Sequence, residues 1–337
     1  MAKIVRFHQL GEPEVLQIED ALPVKPGRGE VRLQVEAIGL NRAEILFRKG
    51  RYLEEPHLPS RLGYEAAGVV EAVGEGVTGY KVGDRVSTVP AFSMRRYGVY
   101  GNSAVVPADA VAAYPPSLSP PEAAAIWMQY LTGYFALIQL GHLQAGQHIL
   151  ITAASSSTGC AAIQIANAIG AIPIATTRKK AKKQNLLNAG AHHVVVSDEE
   201  DLVDRVMEIT GGKGATVIYD PIAGPGLMAL GEAVAIGGTI IVYGALMSGP
   251  TPFPLYSAFI RSFSFHVYKI FDFTGNPAMQ LPRNEEAFER GQAYIFDALA
   301  SGTFKPILDR TFSFNDIVEA HRYMETNQQC GKIVVTV

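Results

Sequence analysis

The sequence reads as an α/β protein: a doubly wound parallel sheet in the middle of the chain, with β-rich segments at both ends. Three observations lead there. From His148 onward, short apolar β-type runs alternate with stretches of helical spacing. The first third is β-type, valine-rich and punctuated by glycine turns, and the chain closes on another β-type run at 332–337.

Each element has its own justification. Val31, Leu33, Val35 and Ala37 alternate as a half-buried strand requires. Residues 63–77 and 82–89 are further β-type segments, and the glycines around Gly74 and Gly83 predict a tight turn joining two strands. Pro115, Pro116, Pro120 and Pro121 mark a linker, after which 122–140 takes a helical pattern. Strands are then predicted at 149–153, 172–176, 193–196, 216–219 and 239–243, with 263–267 as a sixth. The intervening 159–169, 179–189, 199–209 and 226–235 have helical spacing, and repeated βα units of this length predict a parallel sheet covered on both faces.

Bulk properties narrow the function. A chain of 337 residues favours two domains over one. The net charge of -3 gives no electrostatic reason to expect nucleic acid or an anionic membrane as partner. No apolar run reaches the length of a membrane span, and residues 1–10 are not followed by the apolar stretch of a signal peptide. Two cysteines, Cys160 and Cys330, exclude a disulfide framework and suit a cytoplasmic protein.

The first βα turn reads Ile151-Thr152-Ala153-Ala154-Ser155-Ser156-Ser157-Thr158-Gly159. In a nucleotide-binding sheet this turn presents pyrophosphate to a helix N-terminus, where free N–H groups and the helix dipole favour anions. Gly159 allows the helix to pack close, but Ser156 stands where the middle glycine is usual. The serines can offer hydroxyl donors to phosphate; they also make an ordinary N-cap. After the second predicted strand, an NAD site places Asp or Glu on the ribose 2′-hydroxyl. Here the chain reads Thr176-Thr177-Arg178-Lys179-Lys180, followed by Lys182 and Lys183, and no acidic residue occurs between Cys160 and Ser197. Cations in that place suit a 2′-phosphate, so NADPH is the predicted cofactor.

These residues resemble the medium-chain dehydrogenase/reductase superfamily, in its quinone oxidoreductase branch. The resemblance rests on Gly27-Arg28-Gly29-Glu30-Val31, Gly39-Leu40-Asn41, Gly63-Tyr64-Glu65-Ala66-Ala67-Gly68 and Val82-Gly83-Asp84-Arg85-Val86. It continues through Leu131-Thr132-Gly133-Tyr134, the 153–159 turn, Tyr243-Gly244 and Gly331-Lys332-Ile333-Val334. It implies a GroES-like catalytic domain built from 1–122 and 268–337 around a Rossmann domain at 123–267. It also implies a homodimer, joined through an edge strand near Ser262 to Lys269. Thr132, Thr177, Tyr219, Pro221, Gly244, Ala245, Leu246 and Lys332 match cofactor-side positions, beside Ser155, Ser156, Ser157, Thr158, Gly159, Arg178 and Lys182.

Zinc-dependent members of that superfamily bind the catalytic metal with Cys, His and Cys. The matching positions here are Asn41, Tyr64 and Met128, and 80–111 lacks the cysteines of a structural zinc lobe. No metal site is therefore expected. Without a Lewis acid, quinones and α,β-unsaturated carbonyls are better hydride acceptors than isolated ketones, because they spread the arriving charge. The resemblance offers Tyr52 as proton donor, Asn41 as an orienting group and on the cofactor side, and Tyr64 as a second donor or pocket wall. Each has a bland alternative: a packing tyrosine, a turn cap, a core ring. An alcohol or ketone oxidoreductase without zinc, and a nucleotide-binding protein without turnover, are the other readings. The late aromatics Tyr256, Phe259, Phe263, Phe265, Tyr268, Phe271 and Phe273 suit either a core or the wall of a planar apolar pocket.

Overall fold

The computed structural model describes all residues, Met1–Val337. The chain forms two compact units: Met1–Met128 with Phe271–Phe288 and Leu308–Val337, and Gln129–Ile270 with Glu289–Ile307.

In the first unit, β1 (Ala2–Phe7) and β2 (Leu16–Ala21) make an antiparallel hairpin. The larger sheet is built on β3 (Glu30–Gly39), whose alternating Val31, Leu33, Val35 and Ala37 are all buried. β4 (Glu65–Val73) pairs antiparallel with β3 through two register shifts, the second between Val35 and Ala37. Past that bulge Ile38, Gly39 and Leu40 are buried in succession, so the strand ends by diving into the core. β5 (Arg85–Thr88), β6 (Ser103–Pro107) and β7 (Val111–Ala113) follow, with β5 antiparallel on β4 as the turn residues predict.

The 122–140 segment is not one helix. Ser119 and Glu122 close a capping box on a short helix at Pro120–Ala123, an α-helix runs Trp127–Tyr134, and Phe135–Leu140 is π-helical. Tertiary hydrogen bonds set the second start: the Trp127 indole donates to Ser87 Oγ at 2.8 Å and Met128 N to Glu65 Oε1 at 2.8 Å. Nothing in the alanine-rich sequence announces that restart.

The second unit holds the parallel sheet: β8 (His148–Ile151), β9 (Ile172–Thr177), β10 (His193–Val196), β11 (Ala215–Asp220), β12 (Val234–Val242) and β13 (Ser264–Val267). Their order is β10-β9-β8-β11-β12-β13, all parallel, so the direction of winding reverses between β8 and β11. Leu150, Ile174, Val195, Ile218 and Ile240 give one core residue from each of five strands and meet Val206, Leu227 and Leu230 from covering helices. β12 starts earlier than the sequence suggests, because the helix before it stops at Ala233. β14 (Leu308–Ser313) and β15 (Lys332–Thr336) then complete the first unit's sheet, β15 lying antiparallel on β3. No helix is long and apolar enough to cross a membrane.

Candidate active site

In the second unit, the turn after β8 lies at the reversal point, where doubly wound sheets take their ligands. It is sewn to both neighbouring strands. Thr152 N donates to Tyr219 O at 3.1 Å, the Thr152 hydroxyl donates to the Asp220 carboxylate, and Ala154 N donates to Thr176 O at 3.1 Å. A Cβ on Gly159 would fall 2.5 Å from Ala154 O, so glycine alone lets the Ser157–Ile169 helix close on the turn. The three serines each have a place. Ser156 is the N-cap, its Oγ accepting from Gly159 N at 3.1 Å. Ser156 Oγ also lies 3.1 Å from Thr158 Oγ1, which lies 2.9 Å from the Tyr243 hydroxyl. Ser155 Oγ accepts from Lys182 Nζ at 3.0 Å, and Ser157 opens the helix. Capping and hydroxyl display thus coexist.

The basic cluster sorts itself by partner. Lys179 pairs with Asp198 at 2.8 Å and Lys180 reaches Glu199 at 3.8 Å, both acids following β10. Arg178, next to Thr177 at the end of β9, is exposed and in no ion pair, while Lys182 leans on the serine turn. One free guanidinium beside an ammonium and an N-terminal helix turn fits a phosphate-bearing dinucleotide. The loops beyond β11 and β12 also converge: Leu246 N donates to Pro221 O and Met247 N to Ile222 O, each at 3.0 Å. Gly244 is close-packed there, a Cβ falling 2.9 Å from Pro221 O, with Ala245 beside it. Tyr219 is fully buried, its ring stacked 4.0 Å from that of Tyr243, so its backbone is what it can offer a ligand. Burial pushes the Asp220 carboxyl up, against the hydrogen bond from Thr152. Thr132 is buried on the Trp127–Tyr134 helix.

In the first unit, Asn41 caps the Arg42–Arg48 helix and forms a capping box with Glu44. Both ends of its amide are held: Nδ2 donates to Gly39 O and Glu44 Oε1 at 3.3 Å each, and Oδ1 accepts from Lys332 Nζ at 2.6 Å, leaving one acceptor site on Oδ1. The same ammonium is bonded to Glu65, and both residues are buried. Position 39 must be glycine because a Cβ there would fall 1.9 Å from Ala124 O, and it would also press on the Lys332 stem at 2.9 Å. Lys332, which the resemblance puts on the cofactor side, has its ammonium bonded to Asn41 and Glu65 inside this unit. Glu44 also accepts from Asn41 N at 2.6 Å and Tyr64 N at 3.1 Å; burial raises its carboxyl to about 7.

Tyr64 is fully buried, and its hydroxyl donates to Glu54 Oε1 at 3.1 Å. Met94 N donates to the same carboxylate at 2.9 Å, and the Ser93 hydroxyl donates to its other oxygen. The Tyr64 ring lies among Tyr52 (6.2 Å), Phe92 (5.6 Å) and Phe271 (5.6 Å). Tyr52 is half-buried, edge-on to Phe47 at 6.5 Å, and burial pushes its phenol well up. Of the late aromatics, Phe271 joins this cluster, while Tyr256 and Phe259 are 78% and 76% exposed. Glu54, Ser93, Asp220 and the Tyr243 hydroxyl escape a reading of the sequence. Glu44 need not have, since an Asn with Glu three residues on is a helix-start signature.

Two families match: residues 27–116 an alcohol dehydrogenase GroES-like domain and 157–280 a zinc-binding dehydrogenase. The chain is 32% identical to the quinone oxidoreductase of Salmonella typhimurium over 98% of both chains. It is 40% identical to quinone oxidoreductase 1 of Escherichia coli over 222 residues, 66% of each chain. The crystal structure of Escherichia coli quinone oxidoreductase complexed with NADPH superposes on it over 100% of both chains, at 30% identity and a TM-score of 0.89. A two-part architecture of GroES-like and Rossmann sheets defines a medium-chain dehydrogenase/reductase. Within that superfamily the chain belongs to the quinone oxidoreductase-like branch, and it is an oxidoreductase.

Proposed function

We propose that this NADPH-dependent oxidoreductase delivers hydride to a quinone or an activated alkene, such as an α,β-unsaturated carbonyl, and does so without zinc. The leading support is the Lys332 ammonium, bonded to Asn41 and Glu65. The positions matching the zinc ligands carry a carboxamide, a phenol and a thioether; of the carboxylates around them, Glu65 already has its cation, and Glu44 and Glu54 are taken by hydrogen bonds. A second cation there would meet repulsion and find poor ligands. Without a Lewis acid, a substrate must accommodate the arriving charge itself, as quinones and enones do.

When bound, NADPH supplies the hydride. Arg178 and Lys182 would hold its 2′-phosphate, with Thr177 alongside. The 155–159 turn would hold the pyrophosphate on its N–H and hydroxyl donors. Thr132, the Tyr219 and Pro221 backbone, and Gly244, Ala245 and Leu246 would shape the remainder of the cofactor's bed. Lys332 would act by fixing Asn41, which orients the reacting groups. Tyr52 stays protonated because burial raises its phenol, and it would give its proton to the substrate, with Tyr64 holding it in place. The same reading extends to a cytoplasmic homodimer. β13 is an edge strand with Val267 78% exposed, and Leu255 (58%), Tyr256 (78%), Phe259 (76%) and Ile260 (60%) stand open on the preceding helix.

The test is NADPH consumption against quinones, enals, enones and ketones, with and without a strong chelator. Turnover with quinones or enones, indifferent to the chelator, is expected, and Tyr52→Phe should lower kcat by about 10²-fold or more. Turnover confined to isolated ketones, or lost on chelation, would overturn the proposal. Tight NADPH binding with no turnover on any of them would instead make the chain a nucleotide-binding protein.

A further inference from the structure

Arg61 is a guanidinium in the first unit that lacks an anionic partner. No carboxylate lies within ion-pair distance, its Nε is buried with no hydrogen-bond partner, and its one hydrogen bond runs from Nη2 to Ser103 O at 3.3 Å. Burial, and then the charge of Arg6, pull its pKa down to about 10. A half-buried cation next to another cation is costly unless an anion offsets it.

Arg61 lines a cleft of about 320 Å³, at the small end of the range for ligand pockets. Its construction follows from strand alternation. Ala2, Ile4 and Arg6 present one face of β1, Ser103 and Val105 one face of β6, and the end of β2 with the residues that follow it, from Asp20 to Val24, supplies the far wall. One end is therefore polar, with Arg61 and Arg6. Ile4, Val105, Leu22 and Val24 add apolar surface to a lining that is about half polar, and Leu22 and Val24 are 76% and 58% exposed. Arg6 already pairs with Glu19 at 3.3 Å, which leaves Arg61 as the one uncompensated cation. Asp20, also on the lining, is in no ion pair and disfavours a second negative charge.

We propose that this cleft is a binding site for an amphipathic monoanion, a carboxylate with a short apolar chain, with the carboxylate on Arg61 and the chain along Ile4, Val105 and Leu22. A carboxylate matches a guanidinium fork, and its single charge satisfies Arg61 without crowding Asp20. The site uses none of the residues assigned to cofactor or substrate, so it stands independently of the proposed reaction.

The test is calorimetric titration of the intact protein with octanoate, 1-octanol and inorganic phosphate as probes. Octanoate should bind, octanol and phosphate at least about tenfold more weakly, and Arg61→Met should lose about tenfold or more of the octanoate affinity. Val105→Trp, which keeps the guanidinium but fills the floor, should lose a similar factor, and both variants should bind NADPH as the parent does. Equal octanoate binding by parent and both variants, phosphate binding as tightly as octanoate, or no octanoate binding by the parent would overturn the site.

Discussion

Lys179 and Arg178 show how one charge can be committed and its neighbour left free. Lys179 and Lys180 face Asp198 and Glu199, so their contribution to an incoming phosphate is partly offset. Arg178 has no such partner, and Lys182 donates to Ser155 Oγ in the turn after β8. The double variant Arg178→Ala/Lys182→Ala should therefore lose about 10²-fold in NADPH affinity, as two charge-assisted contacts disappear. NADH affinity, lacking the 2′-phosphate, should change by less than about threefold. Parallel fluorescence titrations measure both, and equal losses would remove the phosphate assignment. The basic run without an acid was legible in sequence. Which of its members stay free was not, because the neutralising acids come from beyond the next strand.

The turn after β8 works as an element rather than as a motif. Where a glycine is usual it has Ser156, and its form is held by hydrogen bonds to β9, to β11 and to the Tyr243 hydroxyl beyond β12. Tyr243→Phe keeps the ring stacked on Tyr219 and removes only the hydroxyl that meets Thr158. NADPH affinity should then fall by about three- to tenfold, the worth of one hydrogen bond, with the far-ultraviolet spectrum unchanged. Unaltered affinity would show that the turn holds its shape without that tether. The 122–140 segment teaches the complementary lesson. Its composition predicts one helix, but hydrogen bonds from Trp127 and Met128 to Ser87 and Glu65 fix a restart that local propensity does not encode.

For the whole molecule, buried titratable groups make stability depend on pH in opposite senses. Glu44 rises from 4.5 to about 7 on folding, so the native state keeps a proton that the unfolded chain releases. Its stabilising contribution is complete below about pH 4.5, is lost as pH climbs toward 7, and is constant beyond. His321, buried with both ring nitrogens unpartnered, falls from 6.5 to about 3, so its contribution is complete above 6.5 and lost on acidification. A difference between variants separates the two. The stability of Glu44→Gln relative to the parent should increase by on the order of 3 kcal/mol between about pH 4.5 and 7.5, read from urea unfolding at each pH. A pH-independent difference would mean that Glu44 is ionised throughout.

The βα alternation, the parallel sheet, the glycine at 159 and the cationic stretch after β9 were all readable from the chain alone, because each is carried by residues close together in sequence. Periodicity and turn chemistry act locally. The fate of Lys332 was not readable: its ammonium meets Asn41 and Glu65 across 291 and 267 residues. Nor could sequence reveal that Glu54 gathers Tyr64, Ser93 and Met94, or that Arg61 goes without a counterion. Such pairings depend on which strands lie side by side and which charges burial excludes from water. Folding the whole sheet decides both.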